Sequence, residues 1–269
     1  MKVRTAIIGG SGVYDPAILS ELKMVTVRTP YGEVKIDVGK FKGRTIAFLA
    51  RHGKGHELPP HKINYRANIA ALKIVGVEDI FATAAVGSMN SSFGLGHIVL
   101  ADSFLDFTKM REMTFYGGGE SGVVHTDFTE PYCPGLRRII EKAAKELNFA
   151  VHNGGTYVCT EGPRFESKAE IEFFKMVGGD IVGMTNVPEV ILAREAGMCY
   201  AVCALVTNYA AGISEQPLTH GEVLDVMREN AEKVKKLLYY SLDSLTEKSD
   251  CSCFNSGEKL CFEGKVIEG

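Results

Sequence analysis

Residues 199–210 read CYAVCALVTNYA, an apolar run that stays unbroken until Thr207 and Asn208. A stretch this short has no polar face to give to water. It reads as a β-strand covered on both sides, the sort found inside sheets layered between helices. The segments around it alternate in the same sense. Strand-like runs occur at TAIIGG (5–10), EDIFATAAVGS (78–88), GHIVLADSFLDF (96–107), GGTYVCTEG (154–162) and DIVGMTN (180–186). In VKIDVGKFKGRTIAFLA (34–50) a two-residue alternation breaks at Lys42-Gly43, which predicts a β-hairpin. Helical spacing marks NYRANIAALKIVG (64–76), PGLRRIIEKAAKELNF (134–149), SKAEIEFFKMVG (167–178) and PEVILAREAG (188–197). Ser167 with Glu170, and Thr219 with Glu222, have capping-box spacing, the second opening a long helix from about Gly221 to Leu245. Alternation of this kind predicts an α/β fold. With no repeat or linker, residues 1–245 read as one domain and 246–269 as a polar, irregular C-terminal tail.

The composition narrows the function. The 269 residues are 45% hydrophobic and 23% charged, with a formal net charge of −3. That balance supports a large core and gives no basic face for nucleic acid. The first residues, MKVRTAIIGG, lack a signal-peptide layout, and no window approaches the ~18 apolar residues of a membrane span, so the expected location is cytoplasmic. Seven cysteines are present, and those in the body read as small buried hydrophobes. No CxxC pair meets a second one, so no metal site is expected. The exception is the tail, where Cys251 and Cys253 with Cys261 could form a disulfide that serves stability.

Candidate chemistry gathers at strand ends, where open α/β sheets bind ligands. Gly9-Gly10-Ser11-Gly12 follows the first strand, and its backbone N–H groups and hydroxyl could approach an anion. It matches neither the dinucleotide fingerprint nor a P-loop. Arg51 and His52 end RTIAFLA and offer a planar fork and a further donor to phosphate oxygens. Ala84 and Ala85 lie among small residues where a ligand could touch backbone amides, and Met184-Thr185 ends a later strand the same way. Ser11, Arg51, His52, Ala84, Ala85 and Thr185 together predict a phosphate pocket.

These motifs, with NYRANIAALK, CTEGPRFES and VGMTNVPEVILAREAGMCYA, resemble in order the trimeric purine nucleoside phosphorylase and methylthioadenosine phosphorylase family, from about residue 3 to 245. The resemblance implies a single three-layer α/β/α domain around a mixed, partly barrel-like sheet. It also implies phosphorolysis of a nucleoside, with inorganic phosphate as co-substrate and no cofactor or metal. The assembly implied is a homotrimer or a dimer of trimers, with His125 reaching a neighbour's site. The body looks like the methylthioadenosine branch, but the pocket residues differ from it. Where that branch carries a D-Y-D pattern, this chain has Asn208-Tyr209-Ala210, and a carboxamide can donate to a six-position carbonyl. Glu166 resembles the oxopurine branch and can accept a ring N–H. Phe165 is expected against the base and Met184 against the ribose. His220 matches the histidine with which oxopurine phosphorylases bind a ribose 5′-hydroxyl. Asn208, Glu166 and His52 are therefore the expected catalytic groups, and inosine or guanosine the expected substrates. S-Methyl-5′-thioinosine or S-methyl-5′-thioadenosine phosphorolysis is the alternative within the family, and a non-catalytic nucleoside-binding protein the alternative outside it.

Overall fold

A computed structural model describes residues 3–10, 18–214, 220–245, 251–255 and 260–268. Ser11 and Thr219 lie outside the described residues, and so does the capping box expected at Thr219. In chain order the strands are β1 (Thr5–Gly9), β2 (Ser20–Thr29), β3 (Gly32–Phe41), β4 (Arg44–Ala50), β5 (Asp79–Ser88), β6 (Ile98–Leu100), β7 (Ser103–Phe107), β8 (Val151–Asn153), β9 (Thr156–Thr160), β10 (Ile181–Gly183), β11 (Cys199–Tyr209) and β12 (Lys265–Glu268). The helices are α1 (Tyr65–Ile74), α2 (Pro134–Glu146), α3 (Lys168–Met176), α4 (Asn186–Glu195) and α5 (His220–Asp243).

The strands form one mixed sheet. Its main path runs β12-β2-β3-β4-β1-β5-β10-β9-β7, while β11 pairs with β5 and β6, and β6 pairs with β8. The sheet therefore branches at β5, which has β1 and β10 along one edge and β11 along the other. Side-chain alternation on β11 explains its apolar sequence. Tyr200, Val202, Ala204 and Val206 enter one core cluster with residues of α1 and α4. Cys199, Ala201, Cys203 and Leu205 enter a second with residues of α2 and α5. Helices thus cover both faces, giving three layers. The Lys42-Gly43 hairpin forms with φ of 47° and 80°, the pair of positive values that a two-residue primed turn requires. The capping box of Ser167 and Glu170 is present at the start of α3.

The structure departs from the sequence reading at β2 and β8, which the sequence did not mark as strands, and in three further places. Residues 96–107 form two short strands, β6 and β7, which pair with β11 and β9 respectively. The tail is not irregular throughout, because β12 pairs antiparallel with β2 from Lys265↔Arg28 to Glu268↔Val25. Its Phe262 packs against Tyr31 and Phe115. Third, the tail cysteines meet the body rather than Cys261. The sulfurs of Cys133, Cys199, Cys251 and Cys253 all lie within 4.8 Å of one another. All seven cysteines are free thiols, and Cys261 is exposed. Sequence spacing could not show this cluster, since its members come from the α2 N-cap, β11 and the tail.

Arg111 is the clasp between the end of β9 and the start of α4. Its guanidinium donates to the carbonyls of Val187 (2.5 Å), Glu161 (2.8 Å) and Thr160 (3.2 Å), with its side chain 2% exposed. Arg111→Met removes the guanidinium donors from three carbonyls, of which Val187 O keeps only the weak Cys159 Sγ–H contact at 3.6 Å. Each buried group left unsatisfied costs about 1–3 kcal/mol, so a loss of about 3 kcal/mol is expected in chemical denaturation. A wild-type unfolding midpoint would contradict the clasp.

Candidate functional site

A cavity of about 400 Å³ opens where the strand ends converge. Its floor is a gap in the sheet. β1 pairs with β5 as far as Ala82, and β10 pairs with it at Gly87 and Ser88. Between them, among the described residues, the same edge of β5 has no strand partner. Gly10, Arg51, Ala84, Ala85 and Thr185 line the cavity at this gap.

Arg51 fills part of the opening. It is 1% exposed, and its Nη1 donates to the Thr83 carbonyl at 2.7 Å. Its Nε and Nη2 donate to the two carboxylate oxygens of Glu189 at 2.7 and 2.6 Å. That pairing raises the guanidinium's already high pKa against the opposing cost of burial, so Arg51 stays charged. Gly10 approaches closely enough that a Cβ there would lie 2.9 Å from Thr83 O and 3.0 Å from Arg51 Nη1. Its backbone N–H donates to the Thr83 hydroxyl.

His52 differs from the expectation. Burial, reinforced by the Arg51 charge, lowers its pKa to about 4, so the ring is neutral near pH 7. Nδ1 lies 2.8 Å from the Leu58 carbonyl, which can only accept, so Nδ1 carries the hydrogen. Nε2 then holds a lone pair. His52 offers an acceptor, not the donor read from sequence, and its ring stacks on His56 at 4.3 Å.

The far wall is set by a β-bulge. Val206 pairs with Val86, and the next register pair is Asn208 with Gly87, so Thr207 is the extra residue. A bulge re-aims the side chains that follow it. Asn208 and Ala210 line the cavity, whereas Tyr209 at the end of β11 does not. The Asn208 carbonyl accepts from the Thr207 hydroxyl at 2.9 Å, and its NH₂ donates to Tyr209 O at 3.0 Å. One amide N–H remains for a ligand. Glu166 also lines the cavity, with Oε1 held by the Thr160 hydroxyl at 2.6 Å. Burial raises its pKa above the usual carboxylate range. Phe165 and Met184 complete the apolar lining.

Four residues named from sequence stand apart, Tyr209 among them. Ser11 is outside the described residues, and for His220 only its place as the first residue of α5 is described. His125 is exposed and does not line this cavity. The structure adds others to which the sequence assigned no individual role: Glu189, His56, Glu57, Pro163 and, from α5, Val223. Glu189 had one visible signal, a carboxylate inside an otherwise apolar helical stretch. Among the described residues, the group with metal-ligand geometry is the thiol cluster, and none of its members lines the cavity.

A methyl group at Gly87 would lie 2.9 Å from Asn208 Nδ2 and 3.3 Å from Val182 Cγ1. Gly87→Ala is therefore expected to displace the amide and lower kcat/KM at least about tenfold, as small misplacements of a reacting group do. Thermal unfolding should change by only a few degrees. Unchanged kinetics would remove Asn208 from the site.

Comparison with known proteins identifies the family. Residues 4–243 match the model of the phosphorylase superfamily. The chain is 55% identical to the 6-oxopurine nucleoside phosphorylase of Pyrococcus furiosus, over 93% of this chain and 96% of that protein. It is 50% identical to the S-methyl-5′-thioadenosine phosphorylase of Saccharolobus solfataricus, over 95% and 96%. Among solved structures, a methylthioadenosine phosphorylase from an antarctic soil metagenomic library superposes with a TM-score of 0.88 at 37% identity, covering 95% of this chain and 91% of that one. By its sequence and its fold, the chain belongs to the phosphorylase superfamily.

Proposed function

We propose that this enzyme is a 6-oxopurine nucleoside phosphorylase. Inosine or guanosine reacts with inorganic phosphate to give the free base and ribose 1-phosphate, a reaction of purine salvage in the cytoplasm. The observation that carries this reading is that an amide donor at Asn208 and a carboxylate at Glu166 line the same cavity. An oxopurine presents the complementary set, a six-position carbonyl and a ring N–H. The name of the Pyrococcus furiosus relative supports the same choice.

The reaction builds positive charge on the ribose and negative charge on the leaving purine. Phosphate held by Arg51 and the β5 backbone faces the anomeric carbon, stabilises the sugar cation and bonds to it. A protonated phosphate oxygen donates to Nε2 of neutral His52. Asn208 donates to the purine as its charge grows, and Glu166 accepts the ring N–H. Buried donors aimed at developing charge are worth about 3–4 kcal/mol each. Phosphate is the only co-substrate required, with no metal or other cofactor. The assembly is a trimer or a dimer of trimers, in which the exposed His125 serves a neighbouring subunit's site.

One observation favours a second reading. Val223 brings an aliphatic side chain from α5 to the cavity, and such a surface suits a thiomethyl group. S-Methyl-5′-thioinosine is then the substrate, with the same base contacts. Comparing kcat/KM for inosine and S-methyl-5′-thioinosine decides between them, and a clear preference for the thiomethyl substrate overturns the 5′-hydroxyl role given to His220.

Two experiments test the base contacts. Asn208→Asp should shift kcat/KM towards adenosine, because a carboxylate accepts from a 6-amino group; an unchanged ratio contradicts the assignment. The second concerns Glu166, whose pKa is raised by burial. Above that pKa it is a carboxylate and accepts from the oxopurine. As pH falls through it, the acid form gains a hydrogen that can be donated to adenine N1. The ratio of inosine to adenosine kcat/KM should therefore narrow on acidification, and a ratio independent of pH counts against Glu166.

A further inference from the structure

Glu189 is 1% exposed in the first turn of α4, and both of its oxygens are engaged. Oε2 accepts from Arg51 Nε, while Oε1 accepts from Arg51 Nη2 and from the Tyr200 hydroxyl at 2.7 Å. A carboxylate only accepts, which fixes the direction of every bond behind it. Tyr200 spends its one hydrogen on Glu189 and so accepts from Asn186 Nδ2 at 2.9 Å. Asn186 in turn presents its carbonyl oxygen to the Tyr132 hydroxyl. Asn186 is 0% exposed, and the two tyrosines 1% each. This line of buried groups ends on one guanidinium.

Arg51 has five N–H donors. Glu189 takes two and the Thr83 carbonyl takes a third. Among the described residues, one N–H on each terminal nitrogen is left, on a side chain that lines the cavity. The Glu189 charge also balances that of Arg51, so the direction of these two donors matters more to an anion there than a local excess of charge.

We propose that Glu189 is a positioning residue for phosphate. It sets the plane of the Arg51 guanidinium so that the remaining pair of N–H groups meets two phosphate oxygens, and Tyr200, Asn186 and Tyr132 brace the carboxylate from behind. This rests on the phosphorolytic reading above. A residue acting in this way changes the use of phosphate and leaves that of the nucleoside alone. A general structural defect moves both.

The test is steady-state kinetics in which phosphate and inosine are varied separately. Glu189→Gln loses one charge-assisted bond to Arg51 and should raise KM for phosphate about tenfold. KM for inosine should stay within about twofold, inside the scatter of distant substitutions. Tyr200→Phe should move the phosphate KM in the same direction by a smaller factor. A double-mutant cycle adds a second readout, because a residue acting only through Arg51 has no further effect once Arg51 is gone. The Arg51→Met/Glu189→Gln enzyme should therefore match Arg51→Met in kcat/KM for phosphate. Glu189→Gln leaves Arg51 imperfectly paired. If that variant does not fold, Tyr200→Phe and an Arg51→Met/Glu189→Leu pair, which removes both charges, supply the same comparison. Additive effects, or equal rises in both KM values, overturn the proposal. A wild-type enzyme that cleaves nucleosides without phosphate refutes the reading beneath it instead. Phosphate-dependent wild-type activity with an unchanged KM in Glu189→Gln refutes the positioning role alone.

Discussion

The ion pair between Arg51 and Glu189 is the contact on which the site depends. Two charges this deeply buried are stable only when geometry is good and the remaining donors and acceptors are occupied. Here the pairing is bidentate, Thr83 takes a third N–H, and Tyr200 closes the carboxylate. The pair also joins two parts of the fold. Arg51 follows β4, and Glu189 belongs to the helix after β10, so the edge of β5 between them is held open. A strand laid into that gap would close the floor of the cavity.

The sheet supplies the rest of the geometry. β1, β4 and β11 run parallel to β5 or to its parallel neighbour, so their carboxyl ends reach the same end of the sheet. β10 runs antiparallel against the last residues of β5 and delivers Met184 and Thr185 from the opposite direction. The bulge at Thr207 is the one break in the long β5–β11 ladder, and it falls next to the residue proposed to address the base. Bulges gather at sites for this reason, since the local bend and added twist re-aim the side chains that follow.

Much of this was legible in the sequence because its signals are local. The apolar run of β11, the turn residues Lys42 and Gly43, and the Ser167–Glu170 cap each follow from neighbours a few positions apart. Arg51, His52 and Asn208 were likewise visible as polar residues at strand ends, Glu166 was marked by the family resemblance, and the fold brings all four to one cavity. What was missed depends on long-range contacts. β2 is largely exposed along its first half and so lacks a buried-strand pattern, and β12 exists as a strand only against it. The partner of Arg51 is 138 residues away. The acceptor role of His52 depends on the Leu58 carbonyl, which a residue pattern cannot place. The thiol cluster needs three elements to meet.

The central claim is that this cavity holds phosphate beneath an oxopurine nucleoside. The most direct measurement follows the sugar product of inosine cleavage with and without inorganic phosphate, alongside adenosine at the same concentrations. Phosphorolysis gives ribose 1-phosphate only when phosphate is present, with inosine favoured over adenosine. Free ribose as the product, or adenosine as the better substrate, would contradict it.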